Sequence, residues 1–264
     1  VKELELQDAK NPINITGGYL IEVDAYAGDE RDIDRFFSKT YNIPVTISKS
    51  YPDGTDAELL PFKNYIKAHF EKFQTTVFSY NYKDEQIGFR KYLDTPSFVR
   101  HFLIGEISGN TDTYWSTYMS KQREDDKFYF GPIWDYDLAY ENDNRTYPIN
   151  NLTNWVYVQR GSSANNMSRL ITRLLTDPAL FEEIRYVYSY YRDREVLSEK
   201  ALVEVIDQYE DLLQESQELN FTRWRIMNSY VHQNPVVWGS YTKEVNNVRN
   251  YTKNRIKWMD RRLD

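Results

Sequence analysis

The residues best suited to chemistry lie in two acidic clusters about twenty positions apart. Glu106-Ile107-Ser108-Gly109-Asn110-Thr111-Asp112 is the first, and Gly131-Pro132-Ile133-Trp134-Asp135-Tyr136-Asp137-Leu138-Ala139-Tyr140 the second. Each cluster follows an apolar run. Transfer of a phosphoryl group needs such a supply, with one carboxylate to orient a hydroxyl and another to hold magnesium. Asp135 and Asp137 stand two apart, so in an extended segment both side chains leave on one face. Paired carboxylates repel unless a cation or hydrogen bonds compensate them, which makes Mg²⁺ a natural third member. A solvated turn would also account for the pair, although Trp134, Leu138 and Tyr140 are large neighbours that argue against free exposure of the acids. Asn110 and Asp112 repeat the two-residue spacing. Asp112 is placed to orient a hydroxyl nucleophile or take its proton. An Asn-Thr-Asp turn closing a helix needs no such role, because Asn is tolerated in the left-handed cap position.

The elements that must position these residues can be read from periodicity. Thr16-Gly17-Gly18-Tyr19-Leu20-Ile21-Glu22-Val23-Asp24 predicts a strand entered through a tight turn, and Val45-Thr46-Ile47 a second one ending at Tyr51-Pro52-Asp53-Gly54. From Pro61 the spacing of Tyr65, Ile66, Phe70, Phe73 and Val77 predicts a helix with Pro61 in its first turn. Asp94-Thr95-Pro96-Ser97 predicts the start of another, which runs into Asn110. Tyr114 to Ser120 and Lys127 to Ile133 alternate like strands around the charged turn 122–126, so a hairpin delivers Trp134-Asp135-Tyr136-Asp137. Residues 141–166, rich in Asn, Thr and Ser, read as a long surface loop. After Met167 the stripes are helical: Leu170, Leu174 and Leu175; Phe181, Ile184, Val187, Tyr188 and Tyr191; Leu202, Ile206, Tyr209, Leu212 and Leu213; and Val245, Val248, Tyr251, Ile256 and Met259.

Composition narrows the classes. A chain of 264 residues that is 41% hydrophobic can bury a core as one large domain or two small ones. The net charge of −7, with no basic block, excludes nucleic acid as a main partner. The absence of cysteine excludes a disulfide scaffold, a thiol nucleophile and a thiolate zinc site. No apolar run approaches the roughly 18 residues of a membrane span. The 23 tyrosines suit a core and rim, or a surface that stacks on sugars, bases or proteins. His69, His101 and His232 stand in no metal-ligand spacing, and His101, among apolar neighbours, reads as structural. Gly17-Gly18 lacks the Lys-Ser/Thr ending of a phosphate loop, and no Gly-x-Ser-x-Gly elbow occurs.

Taken in order, Thr16 to Asp24, Tyr51-Pro52-Asp53, Tyr92-Leu93-Asp94 to Asp112, and Gly131 to Ala139 resemble the spore coat protein H (CotH) kinase-like family. The likeness covers roughly residues 15–262 and is densest between 92 and 140. It implies an α+β fold, the C-terminal lobe of an atypical protein kinase, mainly helical, with a small β portion and a hairpin before the Asp-Tyr-Asp motif. It also implies Mg²⁺ and ATP as cofactors and transfer of phosphate to Ser or Thr of a protein substrate. On the matching positions Asp112 is the catalytic aspartate, Asp135 the aspartate for metal and nucleotide, Asp137 a second metal neighbour and Asn110 a cofactor-binding residue. Relatives are often exported bacterial proteins, so an extracellular or cell-surface location is the expectation.

Two departures bear on activity. Five positions after Asp112, where the kinase scheme has a metal-binding Asn, this chain has Thr117. Only fifteen residues precede Thr16, so a glycine-rich cover and a nucleotide-binding Lys are expected upstream of Val1, in a longer protein of which 1–264 is one C-lobe domain. The alternative is a non-catalytic, pseudokinase-like scaffold or surface interaction module. A glycosidase using Asp112 and Asp135 ranks behind both.

Overall fold

The computed structural model describes residues 3–48, 52–147, 154–158 and 166–263. The fold is α+β, with one antiparallel sheet and seven α-helices among the described residues. None of those helices is long and apolar enough to cross a membrane. The chain divides into two units, one of Val1–Phe102, Asp112–Trp134 and Gln159–Phe181, the other of Leu103–Thr111, Asp135–Val158 and Glu182–Asp264.

The first unit carries the sheet. Strands β1 (Tyr19–Asp24), β2 (Arg35–Phe37), β3 (Pro44–Ile47), β4 (Ser116–Lys121) and β5 (Phe128–Phe130) lie in the order β2-β3-β1-β4-β5. β4 and β5 form the expected hairpin, pairing Met119 with Phe130. β4 starts two residues later than the alternation suggested, because Thr111–Tyr114 winds into a 3-10 turn, and β5 ends at Phe130 rather than Ile133. In β1, Tyr19, Ile21 and Val23 point into the core while Glu22 and Asp24 share the other face, across from Tyr118 and Ser116.

Helix α1 (Asp56–Val77) closes the core of this unit. It begins earlier than Pro61, because Thr55 and Glu58 make a reciprocal capping box that starts the helix at Asp56. Pro61 therefore sits in the second turn, where it leaves one carbonyl without its helical donor. Phe70, fully buried, meets Phe36, Phe73 and Phe128 with ring centroids 5.8, 6.3 and 6.0 Å away. These near edge-on contacts are the favoured aromatic geometry. Helix α2 (Thr95–Ser108) starts as its sequence foretells: the Asp94 carboxylate accepts the Ser97 N–H at 2.9 Å. α3 (Met167–Leu174) completes this part, burying Met167, Leu170, Ile171 and Leu174.

Most of α4 (Pro178–Asp193), and all of α5 (Glu199–Leu212), α6 (Gln214–Arg223) and α7 (Tyr241–Leu263), belong to the second unit. Ile184 and Tyr188 of α4 and Tyr251, Ile256 and Met259 of α7 are buried, as their stripes predict. The stripe of α5 is not: neither α5 nor α6 buries any residue, and Tyr209, Leu212 and Leu213 are exposed. Tyr191 is exposed too. In 141–166 the described parts depart from a plain surface loop, since Asp143, Thr146 and Val156 are buried anchors. Residues 148–153 and 159–165 of that stretch, like Tyr51 of the Tyr-Pro-Asp-Gly turn, lie outside the described residues.

Candidate functional site

Asn110, Thr111 and Asp112 owe their placement to the way α2 ends. Gly109 adopts a positive φ of 66°, and the Asn110 N–H reaches back to the Gly105 carbonyl at 3.1 Å. That is the Schellman closure, in which glycine takes the left-handed position. Sequence reasoning offered this position to Asn110; Gly109 fills it, and the Asn110 side chain is left for other work. It is 1% exposed, and its amide nitrogen donates to the Asp135 carbonyl at 3.4 Å.

Within the second unit, the segment after Asp135 wraps this helix end. The Tyr140 N–H donates to the Ser108 carbonyl at 2.8 Å, and the Thr111 hydroxyl to that of Thr146 at 3.2 Å. Behind Thr146, fully buried Asp143 grips the Arg145 guanidinium, with Nε 2.9 Å from each carboxylate oxygen. Two N–H donors on one planar group give such a pair its geometric definition.

Asp135 and Asp137 do not lie in a strand. Asp135 has φ 59° and the segment is irregular, so the period-two argument for a shared face does not hold. Both side chains are exposed, despite the large neighbours. Asn142 holds the backbone here, donating from Nδ2 to the Asp137 carbonyl at 2.8 Å. Asn110 and Asp135 are thus brought together. Asp112, half-buried, lies in the 3-10 turn Thr111–Tyr114 and accepts the Trp115 N–H on its carbonyl at 3.0 Å.

Thr117 occupies an inward position of β4. It is fully buried, and its hydroxyl donates to the Thr113 carbonyl at 2.7 Å. The same carbonyl accepts Nε2–H of His101 at 3.2 Å. His101 is buried among apolar groups, and desolvation pushes it down from 6.5 to about 4, in keeping with a structural role.

Sequence reasoning missed one polar cluster in the first unit. Glu22 is 8% exposed and accepts a short hydrogen bond from the Ser116 hydroxyl. Burial raises its carboxyl above the ordinary value, against the lowering effect of Ser116 and Tyr118. The Trp134 ring stands edge-on to Tyr118 at 5.2 Å. The signal was available: Glu22 and Asp24 alternate with Ile21 and Val23, which puts both acids on one face of β1.

Among the described residues no three acidic or histidine side chains cluster to hold a metal. Mg²⁺ rarely needs such a cage, since it commonly takes one or two carboxylates and completes its octahedron with phosphate and water. Exposed Asp135, on a backbone tied to Asn110, fits a single-carboxylate ligand of that kind. No curated protein and no solved structure matches this chain. The family model described as CotH kinase protein matches residues 2–259, nearly the whole sequence, and the chain belongs to the CotH kinase family.

Proposed function

We propose that this chain is the catalytic-lobe portion of an atypical Ser/Thr protein kinase, acting with Mg²⁺–ATP on a protein hydroxyl. The observation that supports it most is the tie between Asn110 and Asp135. One turn carries the residue before Thr111-Asp112, and its side chain fixes the backbone of the residue offered to the metal. Asp112 orients the acceptor hydroxyl and takes its proton. Asp135 holds the metal, with Asp137 as a secondary neighbour. Asn110, buried as it is, serves the nucleotide site by positioning Asp135. When bound, Mg²⁺ would neutralise charge on the transferring phosphate. Export to the cell surface is part of the same reading.

The test is labelled-phosphate transfer from Mg²⁺–ATP by the full-length protein, with nucleotide-induced thermal shift measured in parallel. Asp135→Ala should abolish both the transfer and the shift. Asp112→Ala should lower transfer at least a hundredfold and leave the shift in place. Undiminished transfer by Asp112→Ala protein removes it as the base.

A second reading, a non-catalytic scaffold, draws on Thr117. Its hydroxyl faces the core and is bonded to Thr113, so this position offers nothing to a second metal. Full-length protein with neither nucleotide shift nor transfer establishes that reading instead.

A further inference from the structure

The second unit contains a hollow of about 270 Å³ lined by Asp137, Glu141, Tyr147, Trp238 and Glu244. A second hollow of similar size, about 270 Å³, shares Asp137, Asn142, Asn234 and Glu244 with it. The two form one cleft with an amide pair at its waist, where Asn234 Nδ2 donates to Asn142 Oδ1 at 2.6 Å.

The charges of this cleft are one-sided. Three carboxylates line it, and neither Lys nor Arg does. Asp137 and Glu141 make no side-chain hydrogen bond or ion pair among the described residues; Glu244 accepts only the Trp238 N–H, at 3.3 Å. The cations of the neighbouring elements are engaged elsewhere: Arg145 is bound to Asp143, and Arg249 to Asp207 and Glu210. Lys243 is exposed, and His232 borders the second hollow. Glu141 sits in the left-handed region with φ 66°, a conformation rarely adopted by a side chain of its kind. Desolvation raises the carboxyl groups of both Glu141 and Glu244. Behind the wall made by Tyr140, the Tyr251 hydroxyl is fully buried without a hydrogen-bond partner among the described residues, near enough to Glu141 to sense its charge.

Glu141 and Glu244 lose hydration against aromatic walls while Asp137 stays exposed at the rim, and with no cation supplied such carboxylates form a receptor for one. They are too dispersed to serve a single metal ion. We propose that this cleft binds an aliphatic chain carrying ammonium or guanidinium groups, its cationic heads on Glu141, Glu244 and Asp137 and its methylenes along Trp238 and Tyr147. The chemistry is shared by a free polyamine and by a Lys or Arg side chain of a peptide. Asp137 also borders the proposed metal site, so the test relies on Glu141 and Glu244, which take no part in phosphoryl transfer, and its failure is distinguishable from failure of the kinase reading.

Calorimetric titration of the whole chain with spermidine, with an acetylated arginine amide and with 1,8-octanediol decides the matter. Saturable binding by either cation and none by the neutral diol is expected, weakened at least tenfold in Glu141→Gln and in Glu244→Gln. Tighter binding of spermidine identifies a free amine as the occupant; tighter binding of the arginine amide identifies a side chain. The proposal is overturned if no cation saturates in the millimolar range, if the diol binds equally, or if the variants bind as the parent does. Displacement of spermidine by an equimolar amount of MgCl₂ also overturns it, in favour of a metal. Unchanged circular dichroism of both variants guards against misfolding as the cause of lost binding.

Discussion

The two units of this chain hold their interiors together by different means. In the sheet-bearing unit the centre is aromatic, with Phe36, Phe70, Phe73 and Phe128 in contact around α1. In the helical unit the centre is ionic. Arg255 and Glu106, both fully buried, face each other at 3.0 Å, and the Glu106 carboxylate also accepts the N–H groups of Val156 and Tyr157. Arg255 donates further to the carbonyls of Glu106 and Asn154, at 2.7 and 2.8 Å. Apolar burial is non-directional and stabilises by area. A buried ion pair adds little net stability, but its bonds have direction. Here they fasten residues 154–158, which have little apolar surface of their own, to helices α2 and α7.

The largest effect should come from breaking that pair on one side. Glu106→Leu leaves the Arg255 guanidinium buried and uncompensated, at a cost of about 3–5 kcal/mol. Amides of 154–158 should lose hydrogen-exchange protection at the same time. Adding Arg255→Met should restore most of the stability, because an apolar pair of similar volume is often as stable as the ion pair. The restored protein should still exchange rapidly at 154–158. A double variant as unstable as Glu106→Leu would show that the pair itself, and not the stranded charge, holds this unit.

His101 offers the corresponding test in the sheet-bearing unit. Its Nδ1 is buried without a hydrogen-bond partner among the described residues, so protonation would bury a charge. Its folded value of about 4 lies below the unfolded 6.5. Between these values the unfolded chain binds more protons, so this contribution is complete above pH 6.5 and is lost as pH falls toward 4. The loss amounts to about 3 kcal/mol. Urea unfolding at several pH values, followed by sheet-unit amides, should show that slope in the parent and a flatter one in His101→Gln. A parent as stable at pH 4.5 as at pH 7 would mean that His101 is hydrated in solution.

These differences mark what could be read from sequence. Strand alternation around Ile21 and Val45, the hairpin turn 122–126 and the Asp94 cap were legible because each is a local rule. The start of α1 was legible as well, in Thr55 and Glu58, but Pro61 is the louder signal and points to the wrong turn. At the site, the spacing of Asn110, Asp112, Asp135 and Asp137 drew attention to two segments that the structure joins through the Asn110 amide and the Asp135 carbonyl. The local geometry did not follow. A left-handed φ at Asp135 depends on partners distant in sequence, and nothing in Trp-Asp-Tyr-Asp announces it. The Arg255–Glu106 pair joins residues 149 positions apart, beyond the reach of any local pattern. The α5 stripe misled for the opposite reason: helical periodicity reports that an apolar face exists, and burial depends on something being there to cover it.

That uncovered face gives the smallest expected effect. Val205, Tyr209 and Leu212 recur at positions that share one side of α5, and they are 48%, 60% and 73% exposed. Leu212→Ser removes apolar surface that is mostly in water already, so stability should change by no more than about 0.5 kcal/mol. The same loss of a buried leucine, such as Leu180 of α4, should cost about 2–5 kcal/mol. Unfolding midpoints of the two variants measure the contrast directly. A cost above about 1.5 kcal/mol at Leu212 would mean that the face is covered in solution, since exposed sites do not carry such penalties. Sedimentation of the parent at rising concentration then distinguishes a second copy from an intramolecular cover: the penalty accompanies self-association in the first case and is independent of concentration in the second.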